Sequence, residues 1–234
     1  MAVSDELVSS LRAKGASLVG FADLRGLPED GREGLPFGIS VGVALDPGII
    51  AQISDGPTSG YKEEYERVNA RLDSLGQMAA KLLVGNGFTA AFHPSTDGYD
   101  LVSLSRPLPH KTVATRAGLG WIGKSALLVT REFGPALRLT SILTDAELPA
   151  GRPVDASQCG KCADCVYKCP AHAPSGKTWQ AGMKREAFFD AFACEKNARA
   201  MMLARVGIDY PICGMCIAAC PWARRYLERV SRTR

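Results

Sequence analysis

The chain has 234 residues, 46% of them hydrophobic and 22% charged, and a formal net charge of +4. These are the proportions of an ordinary globular protein with a sizeable buried core, which excludes a fold that depends on disulfides for its stability. The charge is mild, and the arginines near the C-terminal end fit a solvated helix end better than a nucleic-acid surface. The sequence has no apolar run of about 18 residues and no N-terminal export signal, so we expect a cytoplasmic protein without membrane contact.

Helices and strands alternate in the predicted first part of the chain. Ser4 can cap a first helix, and "ASLVGF" (16–21) after it reads as a strand. The run "GISVGVAL" (38–45) is apolar almost throughout, which is typical of a strand that is covered on both faces. From Tyr61 to Val84 the apolar residues recur at three- and four-residue steps, which predicts the longest helix.

Three further strands are predicted before the cysteines begin. "FTAAF" (88–92) is a short strand, and "ALLVT" (126–130) and "ALRLTSIL" (136–143) predict a hairpin around "REFGP". The stretch "LPAGRPVD" (148–155) contains prolines and a glycine, and it follows the last of these strands. Such a stretch is typical of a domain boundary.

All eight cysteines follow that boundary. In a reducing compartment, clustered thiols bind metal more often than they bind each other. The first four, in "CGKCADCVYKCP", reproduce the C-x2-C-x2-C-x3-C-P spacing of bacterial ferredoxins, in which the fourth cysteine binds the other of two clusters. The second run, "CGMCIAACPW" (213–222), lacks one member, and the missing position is Tyr210. Since Cys194 is the one cysteine outside the two runs, we predict that it supplies the missing ligand.

Two four-iron, four-sulfur (4Fe–4S) clusters need eight thiolates, the number that the chain has. The first cluster is assigned to Cys159, Cys162, Cys165 and Cys220, and the second to Cys169, Cys194, Cys213 and Cys216. Zinc is the alternative metal, because C-x2-C pairs also occur in zinc sites, although those sites usually draw two ligands from each of two pairs. The sequence therefore predicts an α+β protein, with an α/β cofactor-binding domain at 1–150 and a ferredoxin-like domain with both clusters at 151–234.

A glycine-rich stretch within "PHKTVATRAGLGWIGKSALLVT" (109–130) is the second candidate site. Its glycines have the G-x-G-x-x-G spacing, yet the segment before them looks helical, so the dinucleotide-binding fingerprint lacks its strand. Glycines let backbone lie close to a flat ligand, and the alternative is a tightly packed turn between a helix and a strand. The predicted cofactor-binding residues are Gly118, Leu119, Gly120, Trp121, Ile122, Gly123, Lys124 and Ser125.

These motifs together resemble a known family. "AGLGWIGK" (117–124), the ferredoxin run, the lone cysteine and a second run that ends in Cys-Pro-Trp are similar to the epoxyqueuosine reductases and, more distantly, to the reductive dehalogenases. The resemblance extends from "SLVGFADL" (17–24) to "CPW" (220–222). It implies a nitroreductase-like, cobalamin-binding α/β domain that receives electrons from two 4Fe–4S clusters, with the same partition of ligands.

The chain departs from that family at several positions. The reductases carry an aspartate, the proposed proton donor, where alignment on Pro107 places Leu104, and their acidic-basic pair is replaced by His110 and Lys111. The catalytic residues therefore stay unknown; His110 and Lys111 are the candidates, and a surface or capping role is the alternative for His110. The printed sequence ends at Arg234, before the helical-repeat domain that helps those reductases bind tRNA. We accordingly expect a short form for which tRNA is not the substrate.

The resemblance implies an iron–sulfur oxidoreductase that reduces an unknown small substrate through cobalamin. Two alternatives stay open: an electron-transfer or corrinoid-reducing partner protein without its own substrate, and a flavin-dependent iron–sulfur reductase that binds FMN. The long segment before the cysteines favours a reductase, whereas Leu104 in place of the aspartate favours the partner protein. The expected partners are a low-potential electron donor such as ferredoxin or flavodoxin, and a small molecule or a corrinoid protein.

Overall fold

The computed structural model describes residues 2–96, 100 and 102–232 of the chain. The helices are α1 (Val3–Ala13), α2 (Pro47–Ala51), α3 (Ser59–Gly85), α4 (His110–Arg116), α5 (Asp164–Tyr167), α6 (Ala191–Val206), α7 (Met215–Ala219) and α8 (Pro221–Ser231), with a 3-10 turn at Arg185–Ala187. The strands are β1 (Leu18–Asp23), β2 (Phe37–Ala44), β3 (Ala90–His93), β4 (Trp121–Ile122), β5 (Leu128–Val129) and β6 (Leu137–Thr144). The predicted mixture of helices and strands is confirmed. No helix in the described part of the chain is both long enough and apolar enough to cross a membrane.

The chain divides into two compact units that interleave along the sequence. We call them the sheet unit, which comprises Met1–Ala44, Arg67–Leu119 and Arg138–Val154, and the cysteine unit, which comprises Leu45–Glu66, Gly120–Leu137 and Asp155–Arg234. The last transition lies close to the predicted boundary at residue 150, but the linear split into 1–150 and 151–234 is not the division found. Two earlier segments join the cysteine unit, because packing rather than chain order decides which segments share a core.

Four strands form the main sheet, in the order β1-β2-β6-β3. β1 and β2 are antiparallel, with Leu18 opposite Gly42, and β3 and β6 are antiparallel too. β2 is buried over nearly its whole length, as its apolar run predicts. α4 packs on β1 and β2, and it comes close because Gly38 has no side chain: a Cβ there would lie 3.0 Å from Val113 Cγ1.

The predicted long helix is confirmed, whereas the predicted cap of the first helix is wrong. α3 confirms the long helix expected from Tyr61 to Val84, with one or two more residues at each end. α1 begins at Val3 and the residue before it is Ala2, so Ser4 lies inside the helix and does not cap it. A capping side chain must precede the first turn to reach its free amides, and Ser4 already belongs to that turn.

The predicted hairpin between 126–130 and 136–143 is wrong. β5 pairs instead with β4, with Trp121 opposite Val129, and β6 joins the main sheet beside β2 and β3. Adjacent strands in a sequence often pair, but β6 is long and buried, and it satisfies its backbone groups within the four-stranded sheet. The strand predicted at 88–92 is confirmed as β3.

The cysteine unit contains short helices that carry the two cysteine runs. α6, which contains Cys194, begins after Asp190, whose carboxylate accepts a hydrogen bond from a first-turn amide at 2.9 Å. It ends at Gly207, which adopts the left-handed conformation typical of a helix terminus. Cys220 separates α7 from α8, and Pro221 begins α8, since proline suits the first turn of a helix and cannot continue the helix before it.

Candidate metal centre

The first cysteine run forms a tight loop. The Cys162 amide donates a hydrogen bond to the Cys159 carbonyl at 3.1 Å, and Gly160 between them has a φ of +55°, in the left-handed region that glycine favours. α5 then carries Cys165, and the chain leaves the loop at Cys169. The spacing in the sequence thus corresponds to a compact turn, as a ligand loop of the ferredoxin type requires.

Four thiols lie together around this loop. The pKa of the Cys165 thiol is raised to about 12, first by burial and then by the charges of Cys159, Cys220 and Cys162. Charges have such an effect only at close range, so the four sulfurs lie near one another. The structure therefore brings Cys220 of the second run to three cysteines of the first run, the grouping that was assigned to the first cluster.

The other four thiols form a second group. The pKa of the Cys194 thiol is raised to about 11 by burial and then by the charges of Cys169 and Cys213. Burial raises the pKa of Cys216 well above its usual range, and the charges of Cys194 and Cys213 add most to it, followed by those of Cys165 and Cys169. The second group is therefore the one assigned to the second cluster. Because the charge of Cys165, a member of the first group, also acts on the Cys216 thiol, the two groups are neighbours.

The donor set fits the predicted cofactor. Each group offers four cysteine sulfurs, which is the ligand set of a 4Fe–4S cluster. Among residues 2–96, 100 and 102–232, no three histidine, cysteine, aspartate or glutamate side chains come close enough together to hold a single metal ion. Which thiols bind iron stays a prediction, and the grouping of the sulfurs is the geometry that supports it.

Two side chains from the glycine-rich stretch reach the first cysteine loop. The Lys124 ammonium donates hydrogen bonds to the carbonyl oxygens of Gly160 at 3.1 Å and Cys162 at 2.8 Å. The Trp121 indole N–H donates to Cys159 Sγ at 3.4 Å. No pattern in the sequence signals these contacts, because 36 to 38 positions separate each donor from its acceptor. Because of these hydrogen bonds, the side chains of Lys124 and Trp121 face the first cysteine loop, although they were predicted to face a flat cofactor.

The glycine-rich stretch is packed rather than open. Residues 120–125 are buried, whereas Gly118 is exposed. A Cβ on Gly120 would lie 2.2 Å from the Val129 carbonyl oxygen, and one on Gly118 would lie 2.7 Å from the Arg152 carbonyl oxygen. The space beside these two glycines is therefore filled by the protein's own backbone. This agrees with the alternative interpretation of the stretch as a tightly packed turn. The segment before them is helix α4, so the dinucleotide fingerprint does lack its strand.

The two catalytic candidates, His110 and Lys111, lie at the start of α4 in the sheet unit. His110 Nδ1 lies 3.0 Å from Ser141 Oγ, and the Arg106 guanidinium contacts Nε2. Burial, followed by the positive charge of Arg106, lowers the pKa of His110 to about 3, so its ring is neutral at neutral pH. A neutral ring with both nitrogens engaged is a poor proton donor, which favours a structural role. Lys111 is half-buried, and Leu104 is buried with 7% exposure.

His110 should make stability fall with acidity. Its pKa is about 3 in the folded chain and 6.5 for an unperturbed histidine, so below pH 6.5 the unfolded chain binds a proton that the folded chain does not. Between pH 7 and pH 5 the wild type should thus lose ~2 kcal/mol of stability through this group. The variant His110→Gln should lack that loss, as urea unfolding at the two pH values would measure. Equal losses in the two proteins would contradict the depressed pKa.

Comparisons with known proteins identify relatives in sequence. No known family model matches the chain. It is 29% identical over 175 residues to the epoxyqueuosine reductase of Escherichia coli (strain K12), an alignment that covers 72% of this chain and 43% of the relative. It is also 29% identical over 192 residues to the epoxyqueuosine reductase of Synechococcus sp. (strain CC9605), which covers 80% of this chain and 56% of that protein. The chain spans about half the length of these curated relatives.

Solved structures share the fold. The catabolic reductive dehalogenase NpRdhA, in complex with 3-bromo-4-hydroxybenzoic acid, matches 97% of this chain and 34% of its own, with a TM-score of 0.69 and 18% identity. The epoxyqueuosine reductase from Bacillus subtilis matches 94% of this chain and 65% of its own, with a TM-score of 0.62 and 16% identity. A third structure holds epoxyqueuosine reductase with a tRNA-Tyr epoxyqueuosine-modified stem loop, at a TM-score of 0.59 and 18% identity over 94% of this chain and 65% of that one.

In sequence the chain is epoxyqueuosine reductase-like, as its motifs predicted. Its fold is shared with those reductases and with the reductive dehalogenases. The tRNA stem loop bound by one of these reductases runs against our expectation that tRNA is not the substrate.

Proposed function

We propose that this chain is an iron–sulfur oxidoreductase that passes electrons through two 4Fe–4S clusters to a cobalamin, which reduces a substrate. The observation that carries the proposal is the pair of four-thiol groups in the cysteine unit. A zinc site usually draws two ligands from each of two C-x2-C pairs, whereas the first set takes three thiols from one run and a single thiol from the other.

The cluster ligands follow from this grouping. Cys159, Cys162, Cys165 and Cys220 would hold one cluster, and Cys169, Cys194, Cys213 and Cys216 would hold the other. When bound, the clusters supply one-electron transfer at potentials that span roughly −700 to +450 mV in proteins generally. The chain's own contribution is to keep the two sets adjacent and partly buried, which limits the access of water and oxygen to the sulfurs.

The cobalamin part of the proposal rests on the relatives more than on the predicted loop. The sequence relatives are epoxyqueuosine reductases, and the structure of a reductive dehalogenase with the same fold suggests a mechanism for B12-dependent dehalogenation in that enzyme. Residues 120–125 are buried and do not form the open surface that a flat corrin ring would need. Of the predicted cofactor-binding residues, Gly118 is the exposed one. The alternatives are FMN in place of cobalamin, and an electron-transfer or corrinoid-reducing partner protein.

Two candidate substrates are supported by different observations. The long segment before the cysteines favours a reductase that acts on a small substrate. Buried Leu104 in place of the family's aspartate, and a neutral His110 engaged by Ser141, leave the proton donor of the epoxyqueuosine reductases without a counterpart there, which speaks against their substrate. The second candidate is the reduction of epoxyqueuosine in tRNA, which the names of the sequence relatives and the tRNA stem loop in a solved relative favour. A low-potential donor such as ferredoxin or flavodoxin would supply the electrons in either case.

Anaerobic purification and titration test this proposal. The protein should carry about eight irons and eight acid-labile sulfides per chain, and it should change the visible spectrum of added cobalamin on binding. Stoichiometric zinc with little iron would contradict the cluster assignment. Uptake of FMN without cobalamin would replace the corrinoid with a flavin, and uptake of neither would favour the electron-carrier function.

A second assay separates the two candidate substrates. The cluster-loaded protein, with cobalamin and a chemical reductant, is incubated with an epoxyqueuosine-modified tRNA stem loop, and mass spectrometry follows the loss of the epoxide oxygen. Turnover would establish the tRNA activity and exclude the small-substrate proposal as the main function. No turnover by protein that holds both clusters and cobalamin is the result that the small-substrate proposal expects.

A further inference from the structure

Lys124 is a buried lysine whose charge the described protein does not balance. Its exposure is 6%, and its ammonium donates to two backbone carbonyl oxygens, those of Gly160 and Cys162. Within residues 2–96, 100 and 102–232, no carboxylate forms an ion pair with it. Burial of a charge without a counter-charge is costly, so an anion is expected close to this ammonium.

The surroundings of Lys124 indicate which anion that is. Both of its acceptors belong to the loop that carries Cys159, Cys162 and Cys165, so the ammonium lies against the backbone of the first ligand set. A cluster with four thiolate ligands is negatively charged, and it becomes more so when it is reduced. The countercharge that the buried ammonium needs would therefore be the first cluster itself.

A second donor acts on the same ligand set. The Trp121 indole N–H donates to Cys159 Sγ at 3.4 Å, and its ring packs edge-to-face on Trp222 at a centroid distance of 5.5 Å. Trp222 follows directly after Cys220 and Pro221, at the other end of the same four-thiol group. One pair of indoles thus lies next to ligands from both cysteine runs, and the packing holds the Trp121 N–H in place.

We propose that Lys124 and Trp121 are positioning residues that raise the reduction potential of the first cluster and so favour residence of the electron there. The proposal rests on the proposed function, since it requires the first thiol set to hold a 4Fe–4S cluster. Reduction adds one electron to an anionic cluster, and a fixed positive charge in a poorly solvated site stabilises the reduced form more than the oxidised form. A hydrogen bond to a ligand sulfur acts in the same direction.

A purely structural role would give a different result from an electrostatic one. Lys124 could hold the cysteine loop through its two hydrogen bonds without any effect on electron transfer. Lys124→Met keeps the length of the side chain and removes its charge, whereas Lys124→Arg keeps the charge. Lys161→Met is the matched control, because Lys161 lies in the same loop, beside Cys162, with its side chain exposed to water.

The experiment is a redox titration of each cluster-loaded protein, followed by electron paramagnetic resonance, with iron content measured on the same samples. In Lys124→Met we expect the oxidised-to-reduced ratio of the first cluster at a fixed potential to rise about tenfold, which is ~59 mV for a one-electron couple. Lys161→Met should change this oxidised-to-reduced ratio less than threefold. Lys124→Arg keeps the charge, so its ratio should stay close to that of the wild type.

Each result bears on a separate claim. Wild-type protein without 4Fe–4S clusters would overturn the proposed function and with it this inference. Lys124→Met protein with full iron content and an unchanged potential would overturn the inference alone. If Lys124→Met does not retain its cluster, the Trp121→Phe variant tests the proposal instead. It removes one N–H donor, and it should raise the oxidised-to-reduced ratio of the first cluster about threefold. An unchanged potential in Trp121→Phe would then overturn the proposal.

Discussion

Replacing Cys194 with serine is expected to remove one of the two clusters, so that iron falls from about eight to about four atoms per chain, or to about seven if a three-iron form survives. Cys194 lies in the first turn of α6, far from both cysteine runs in sequence, yet the charges of Cys169 and Cys213 act on its thiol. No cysteine remains to replace it, because the other seven are all assigned to the two sets. Iron analysis with Mössbauer or electron paramagnetic resonance spectra of anaerobic protein measures the loss.

The neighbouring position supplies the control for that experiment. Ala193→Ser places the same hydroxyl in the same helical turn and leaves the thiol in place, so it should keep both clusters. If Cys194→Ser retains two intact four-iron clusters with unchanged spectra, Cys194 is a buried thiol without a metal role, and the second set must draw its fourth ligand from elsewhere.

Gly120→Ala is expected to destabilise the fold strongly, by about 3 kcal/mol. The added Cβ would lie 2.2 Å from the carbonyl oxygen of Val129 and 3.0 Å from its carbonyl carbon, and both are backbone atoms that no side-chain rotation can move. The contact lies beside the pairing of β4 with β5, so these strands would have to separate. Urea unfolding of wild type and variant, followed by circular dichroism, measures the difference.

Gly26→Ala is the control for this substitution, because a Cβ at Gly26 would meet no atom within 4 Å. It should change stability by less than about 1 kcal/mol. A Gly120→Ala protein as stable as Gly26→Ala would mean that the loop is open there. The prediction also has a practical consequence: loss of corrinoid binding in a Gly120 variant would report damage to the fold, and it could not by itself locate a corrin ring.

Several features of this protein follow from its sequence because they depend on local spacing. The apolar run of β2 and the periodic apolar positions of α3 fix which faces must be buried, and both elements formed as predicted. The spacing of the first cysteine run predicts a compact turn, and the ferredoxin spacing together with the count of eight cysteines predicts how they are shared between two clusters. Cys194 was predicted as a ligand from that count; this stays a prediction, and the charges of Cys169 and Cys213 that act on its thiol support it.

Other features depend on contacts between distant positions, for which spacing carries no information. β5 and β6 looked like a hairpin, yet β6 is buried only within the four-stranded sheet. Segments 45–66 and 120–137 belong with the cysteines although they precede the predicted boundary.

The glycine-rich stretch is the clearest case of this division. Its sequence shows that side chains are absent at Gly118, Gly120 and Gly123, but not whether ligand or protein fills the space that they leave. The tertiary structure places the backbone of Val129 against Gly120, and it turns Lys124 toward the first cysteine loop. Close packing decides both points, because the partner atoms come from segments that meet only when the chain has folded.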